Sequence, residues 1–138
     1  MKRILLVDDQ AHVLRVLKRS LENNGFTVEV ALGAEVALDM LSKSAAVCGI
    51  PEFDVVITDL EMPIMDGCDL AKVIVKSYST NSPLVFVVGE CDESDENEQT
   101  ANLAGLAGVE SVKSPLSLNW LLSRLNAYFG CAELRLAS

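Results

Sequence analysis

Histidine is nearly absent from this 138-residue chain, which carries only His12. Its four cysteines, Cys48, Cys68, Cys91 and Cys131, are scattered, and none belongs to a C-x-x-C pair. Together these scarcities argue against a zinc centre built from thiolates and imidazoles, and they fit reduced thiols. Basic residues are outnumbered, 11 against 20 acidic, for a formal net charge of −9. Non-specific binding to nucleic acid or to an anionic membrane surface needs a basic patch, so this domain is not expected to bind either directly. No apolar run approaches the length of a membrane span. Lys2 and Arg3 open the chain, but only Ile4 to Val7 follow before Asp8, too short a run for a secretory signal. The expected location is therefore the cytoplasm. Aromatics make up 5% of the residues although 50% are apolar, a balance that predicts an aliphatic core in one domain.

Short apolar runs alternate with amphipathic ones. Residues 2–7 read as a buried strand. A helix is expected over 10–24, with Val13, Leu14, Leu17 and Leu21 on one face and Asn24-Gly25 as its stop. A strand follows over 26–31, then a helix over about 34–43 carrying Ala34, Ala37, Leu38 and Leu41. Residues 44–52 read as a loop and 53–58 as the most apolar strand. Next comes a helix over 67–78 whose face is Leu70, Val73, Ile74 and Ser77, with Asp66 as its cap. A fourth strand covers 83–88. The acidic stretch 90–98 reads as solvated and is followed by a short, mobile helix. A fifth strand spans 109–112, and Leu118, Leu121, Leu122, Leu125 and Phe129 mark a final helix. Five strand–helix alternations predict an α/β fold, a parallel sheet covered on both faces. The domain is expected over 1–129. Residues 130–138 read as a tail, as an extension of the helix, as a dimer contact, or as the start of a linker.

Acidic residues end two of the apolar runs. Asp8 and Asp9 follow Ile4-Leu5-Leu6-Val7, and Asp59 follows Val55-Val56-Ile57-Thr58. In adjacent parallel strands these carboxylates emerge at the carboxyl edge of the sheet, where open α/β sheets bind ligands. Three carboxylates gathered there repel one another unless a cation lies between them. Hard oxygen ligands of this kind suit Mg²⁺, which takes one or two carboxylates, waters and a phosphate. The pattern predicts a phosphoryl-transfer site. Taken alone, Asp9 reads equally well as a cap for the first helix. His12 reads as a surface residue.

Three segments carry a family resemblance: Leu6-Val7-Asp8-Asp9, the run Asp54-Val55-Val56-Ile57-Thr58-Asp59-Leu60-Glu61-Met62-Pro63-Ile64-Met65-Asp66-Gly67, and Val112-Lys113 ahead of Pro115. In these the chain resembles the receiver (CheY-like) domains of two-component response regulators over about residues 2–128. The resemblance implies a flavodoxin-like (βα)5 sheet in the order 2-1-3-4-5. It implies Asp59 as phosphoacceptor, Asp9, Asp59 and the Glu61 backbone carbonyl as Mg²⁺ ligands with Asp8 assisting through water, and Lys113 as the cation facing the phosphoryl oxygens. It also implies a sensor histidine kinase or phosphotransfer protein as donor and a downstream output protein or domain as receiver of the signal. Catalysis would be limited to the domain's own phosphorylation and dephosphorylation. Two switch positions depart from the family. Val88 stands where a Ser or Thr hydroxyl ends strand four, and strand five, Val109-Glu110-Ser111-Val112, has no aromatic, with Glu110 at that place. Ser114 also separates Lys113 from Pro115. These departures leave open a degenerate receiver, an interaction module indifferent to phosphorylation. A haloacid dehalogenase-type phosphatase would need an Asp where Glu61 stands, and a flavodoxin would need a Ser/Thr/Gly-rich loop where Asp8-Asp9-Gln10 stands.

Overall fold

The structure, a computed structural model, describes residues 2–46, 49–78, 81–89, 108–113 and 116–137. From residue 130 onward it describes the backbone alone. Five strands, β1 (Arg3–Val7), β2 (Thr27–Ala31), β3 (Val55–Asp59), β4 (Leu84–Gly89) and β5 (Val109–Lys113), form one sheet in the order β2-β1-β3-β4-β5, with every pairing parallel. The described helices are α1 (Ala11–Asn23), α2 (Ala34–Ser44), α3 (Gly67–Tyr78) and α4 (Leu118–Ala137). The expected acidic loop and mobile helix over 90–106 lie outside the described residues, as do Ser114 and Pro115.

Strand alternation sorts the apolar side chains onto two faces. Leu5, Val7, Val56, Val85 and Val87 join Ala37 and Leu41 of α2 and Leu70, Ala71 and Ile74 of α3 in one core layer. Ile4, Leu6, Val28, Val55, Ile57 and Phe86 join Leu14 and Leu21 of α1 and Leu121, Leu125 and Phe129 of α4 in the other. β1, β3 and β4, flanked by strands on both sides, read as continuous apolar runs because both of their faces are covered.

Most element bounds fall within a residue or two of the sequence expectation. Phe26 precedes β2, and Phe53 is buried ahead of β3. The expected face of α3 is corrected at one position. Ser77 is exposed, and the buried residues are Gly67, Cys68, Leu70, Ala71 and Ile74. Ser77 shares the face of Leu70 and Ile74, but it sits in the last turn of α3, next to the helix end, and is open to water there. Residues Asn24 and Gly25 do end α1. Gly25 takes φ +92°, a left-handed conformation that costs glycine little. Its N–H donates to the Glu22 carbonyl at 3.1 Å. α4 continues as helix through Ala137, across the segment that read as a tail or linker.

Candidate functional site

β1 and β3 are neighbours, with Val7 opposite Thr58. Asp8 therefore leaves the sheet beside Asp59, and Asp9 follows at the turn into α1. One carboxylate oxygen from each of Asp8, Asp9 and Asp59 lies within 4.8 Å of the others. Asp8 and Asp59 are half-buried and Asp9 is exposed. Burial pushes the Asp59 carboxyl above the ordinary aspartate range, and the charge of Asp8 pushes the same way; the Glu61 backbone amide offsets part of this. Asp8 is raised for the same first reason, burial, partly offset by the Gln10 backbone N–H, with Asp9 adding repulsion. The Gln10 N–H donates to Asp8 Oδ1 at 3.0 Å. Gln10 is the N-cap of α1 and makes no side-chain cap bond, so Asp9 does not take the capping role open to it on sequence grounds.

The segment after Asp59 is tied down by its backbone. Leu60 donates its N–H to the Val88 carbonyl at 2.7 Å and accepts the Gly67 N–H at 2.9 Å. One residue thus links the ends of β3 and β4 to the start of α3. The Asp66 carboxylate accepts the Asp69 N–H at 2.8 Å, the cap that the sequence predicted. Ile64 stands 90% exposed at φ +74°, a conformation that a β-branched residue rarely adopts. Thr58 is fully buried, and its hydroxyl donates to the Asp59 carbonyl at 3.0 Å.

Strand register places the remaining candidates. Asp59 pairs with Val88, Val88 with Val112, and Gly89 with Lys113. Lys113 therefore ends its strand at the same carboxyl edge, two strands from Asp59. That is about 10 Å at normal strand spacing, within the combined reach of a lysine and a phosphoryl group. Glu61 is exposed two residues beyond Asp59. Glu110 ion-pairs with Arg124 of α4, and Arg124 Nε also donates to Glu110 Oε2 at 3.2 Å.

Two features went unread in the sequence. A cleft of about 560 Å³ opens beside the acidic residues, walled by Val13, Leu17, Ile57, Val88 and Leu116. It joins side chains from separate elements, so no local pattern announces it. The second is the tightness around Leu60. A Cβ on Gly67 would lie 2.4 Å from the Asp59 carbonyl oxygen, and one on Gly89 would lie 2.4 Å from Leu60 Cβ. The Asp66-Gly67 dipeptide was the available signal for the first.

A family model described as the response regulator receiver domain matches residues 4–111. The chain belongs to this family. The receiver domain is 35% identical over 93 residues to the transcriptional regulatory protein CpxR of Escherichia coli K12, a match covering 67% of this chain and 36% of that protein. It is 37% identical over 70 residues to the response regulator MprA of Mycolicibacterium vanbaalenii, covering 51% of this chain and 27% of MprA. The chain thus spans well under half the length of these relatives. Among solved structures, a response regulator receiver domain protein from Clostridium thermocellum superposes with a TM-score of 0.74 at 28% identity, covering 97% of this chain and 98% of the other. The Vibrio cholerae chemotaxis protein CheY4 superposes with a TM-score of 0.70 at 22% identity, covering 92% and 98%, and shows the shared fold. The receiver domain assignment and the strand order both agree with what the sequence motifs imply. No helix among the described residues is long and apolar enough to cross a membrane.

Proposed function

We propose that this receiver domain accepts a phosphoryl group on Asp59 from the phosphohistidine of a sensor histidine kinase or phosphotransfer protein, and passes the signal on through protein contacts. The observation that carries the reading is the convergence of Asp8, Asp9 and Asp59 at the sheet edge. Three clustered carboxylates, two of them half-buried and raised, form a hard, anionic oxygen site that fits Mg²⁺. Asp9, Asp59 and the Glu61 carbonyl would hold the ion, with Asp8 assisting through water. Bound there, the ion would neutralise charge on the phosphoryl oxygens.

The remaining chemistry falls to the chain. An Asp59 oxygen attacks phosphorus, the phosphorus–nitrogen bond of the donor breaks, and the imidazole leaves with the electron pair. Phosphoryl transfer needs position and charge stabilisation more than covalent help. The Leu60 backbone bonds hold Asp59 in place, and Lys113 supplies a mobile positive charge at the same edge. Phosphoramidate with Mg²⁺ should add one phosphoryl group to wild type and none to Asp59→Asn, by intact mass. Lys113→Ala should be labelled more slowly. Wild type left unmodified beside a reference receiver labelled in the same tube would overturn the reading.

The output of this event is expected to be unusual. Val88 lies directly opposite Asp59 and has no hydroxyl to offer a phosphoryl oxygen. At the second switch position, Glu110 is held by Arg124. We infer that phosphorylation alters the β5–α4 face less here than in a receiver carrying the hydroxyl and the aromatic.

A further inference from the structure

β2 ends the sheet on one side, and β1 is its one strand neighbour among the described residues. Thr27 donates its N–H to the Lys2 carbonyl at 2.9 Å, and the Ala31 carbonyl accepts the Asp8 N–H at 3.1 Å. Alternate residues of a parallel strand serve the same neighbour, so Thr27, Glu29 and Ala31 direct their backbone groups to β1. Those of Val28 and Val30 point off the other edge, where no backbone group of the described residues meets them. Such an edge is a template for a further strand unless lysine, proline or an unpaired charge blunts it. Residues 26–33 contain no lysine, arginine or proline, and their one charge, Glu29, is taken up by Arg3 of β1 at 2.9 Å. The strand at the opposite end of the sheet, β5, carries Glu110 and Lys113. Along β2 it is apolar side chains that stand open: Val30 is 36% exposed, and Leu32, just past the strand end, 57%.

We propose that β2 pairs antiparallel with the β2 of a second copy of this chain, across a two-fold axis at Val30, and so joins two sheets into one. In that register Val30 exchanges both backbone bonds with its own copy, and Val28 lies opposite Leu32 of the second copy. The open apolar side chains then cover one another. A register centred on Glu29 would use the same outward groups but would set Glu29 against itself, which like charge disfavours. Centred on Val30, each Glu29 faces an Ala31. A two-fold axis normal to the sheet lays α1 beside α1 and α2 beside α2, each antiparallel to its copy. α2 has Glu35 in its first turn and Lys43 in its last, and α1 has Arg15 and Lys18 ahead of Glu22. Antiparallel copies therefore bring opposite charges together on both faces of the joined sheet. The contact goes beyond the phosphoacceptor reading and does not depend on it. β2 lies across the sheet from β4 and β5, and the acidic edges of the two copies sit at opposite ends.

One short strand buries little area, so the association should depend on concentration. In sedimentation equilibrium the wild-type chain should behave as a monomer–dimer system, equally with and without beryllofluoride and Mg²⁺. Val30→Lys and Val30→Glu, each alone, lose the apolar pair and set like charges across the axis, and each should weaken the dimer about tenfold. Leu32→Lys should weaken it as well. Far-UV circular dichroism of each variant should match wild type, since both positions are open to water. Mixed together, Val30→Lys and Val30→Glu meet as opposite charges and should restore the dimer. A wild type still monomeric at about 1 mM, the weak end of measurable association, would overturn the proposal. So would a dimer that the folded single variants leave intact, a mixture no tighter than either variant alone, or a dimer that forms only with beryllofluoride.

Discussion

Gly67 has no room for a side chain. Its hypothetical Cβ would lie 2.4 Å from a backbone oxygen, Asp59 O, which cannot swing aside as a side chain can. Gly67→Ala should therefore destabilise the domain by about 1–3 kcal/mol, read from denaturant midpoints, and should disturb the loop that positions Asp59. An unchanged midpoint would show that α3 docks more loosely than this spacing implies. The acidic cluster makes a prediction of opposite sign. Asp8 and Asp59 are raised in the folded state, so the native protein holds protons that the unfolded chain has released. Their contribution to stability is most favourable below the ordinary aspartate range and declines as pH rises through the raised values. In metal-free buffer, Asp8→Asn/Asp59→Asn should gain stability relative to wild type as pH rises from 4 towards neutrality, measured by thermal melts. A constant difference across that range would show that the two carboxylates do not carry this linkage.

At the scale of elements, the proposed weak response to phosphorylation rests on β4 and β5. Val88 sits between Asp59 and Val112 in register. A hydroxyl on that residue would gain a bond to a charged phosphoryl group worth about 1.5–3 kcal/mol, enough to tip a balance whose gap is of that order. The Glu110–Arg124 pair is solvent-screened, so it holds β5 to α4 without being a strong lock. With beryllofluoride as the phosphoryl mimic, amide exchange across β5 and α4 should change little in wild type. Val88→Thr, nearly constant in volume, should enlarge the change. A wild-type response as large as that of a receiver bearing both switch residues would refute this account. The bounds of these elements were legible because each strand is an apolar run and each helix has its own period. The ion pair was not, because Glu110 and Arg124 lie 14 residues apart on different elements.

For the whole molecule, a cation that binds the native acidic cluster and not the unfolded chain must stabilise it by mass action. At about 100 times the dissociation constant this amounts to about 2.7 kcal/mol. Mg²⁺ should raise the melting temperature of wild type, and Asp9→Ala should lose most of that gain. Asp9 is the better probe than Asp59 because it is exposed, whereas Asp59 is half-buried at the end of β3. A melting temperature indifferent to tens of millimolar Mg²⁺ would leave the cluster without its proposed ion.

Local sequence determined a good deal. Apolar runs ending in Asp8-Asp9 and Asp59, amphipathic stretches between them, and Asp66-Gly67 at a helix start each speak through neighbours in the chain. From these followed the alternating fold, the gathering of three carboxylates at one sheet edge, and the family. Tertiary structure decided what depends on distant residues meeting. It set the 2.4 Å limit at Gly67, the opposition of Val88 to Asp59, the Glu110–Arg124 pair, and the cleft that places Val13 and Leu17 beside Leu116. The physical reason is range. Strand and helix patterns repeat every two to four residues and can be read in any short window. A cavity or a cross-sheet contact exists only after the chain has closed loops of tens of residues, and no window of the sequence contains both of its sides.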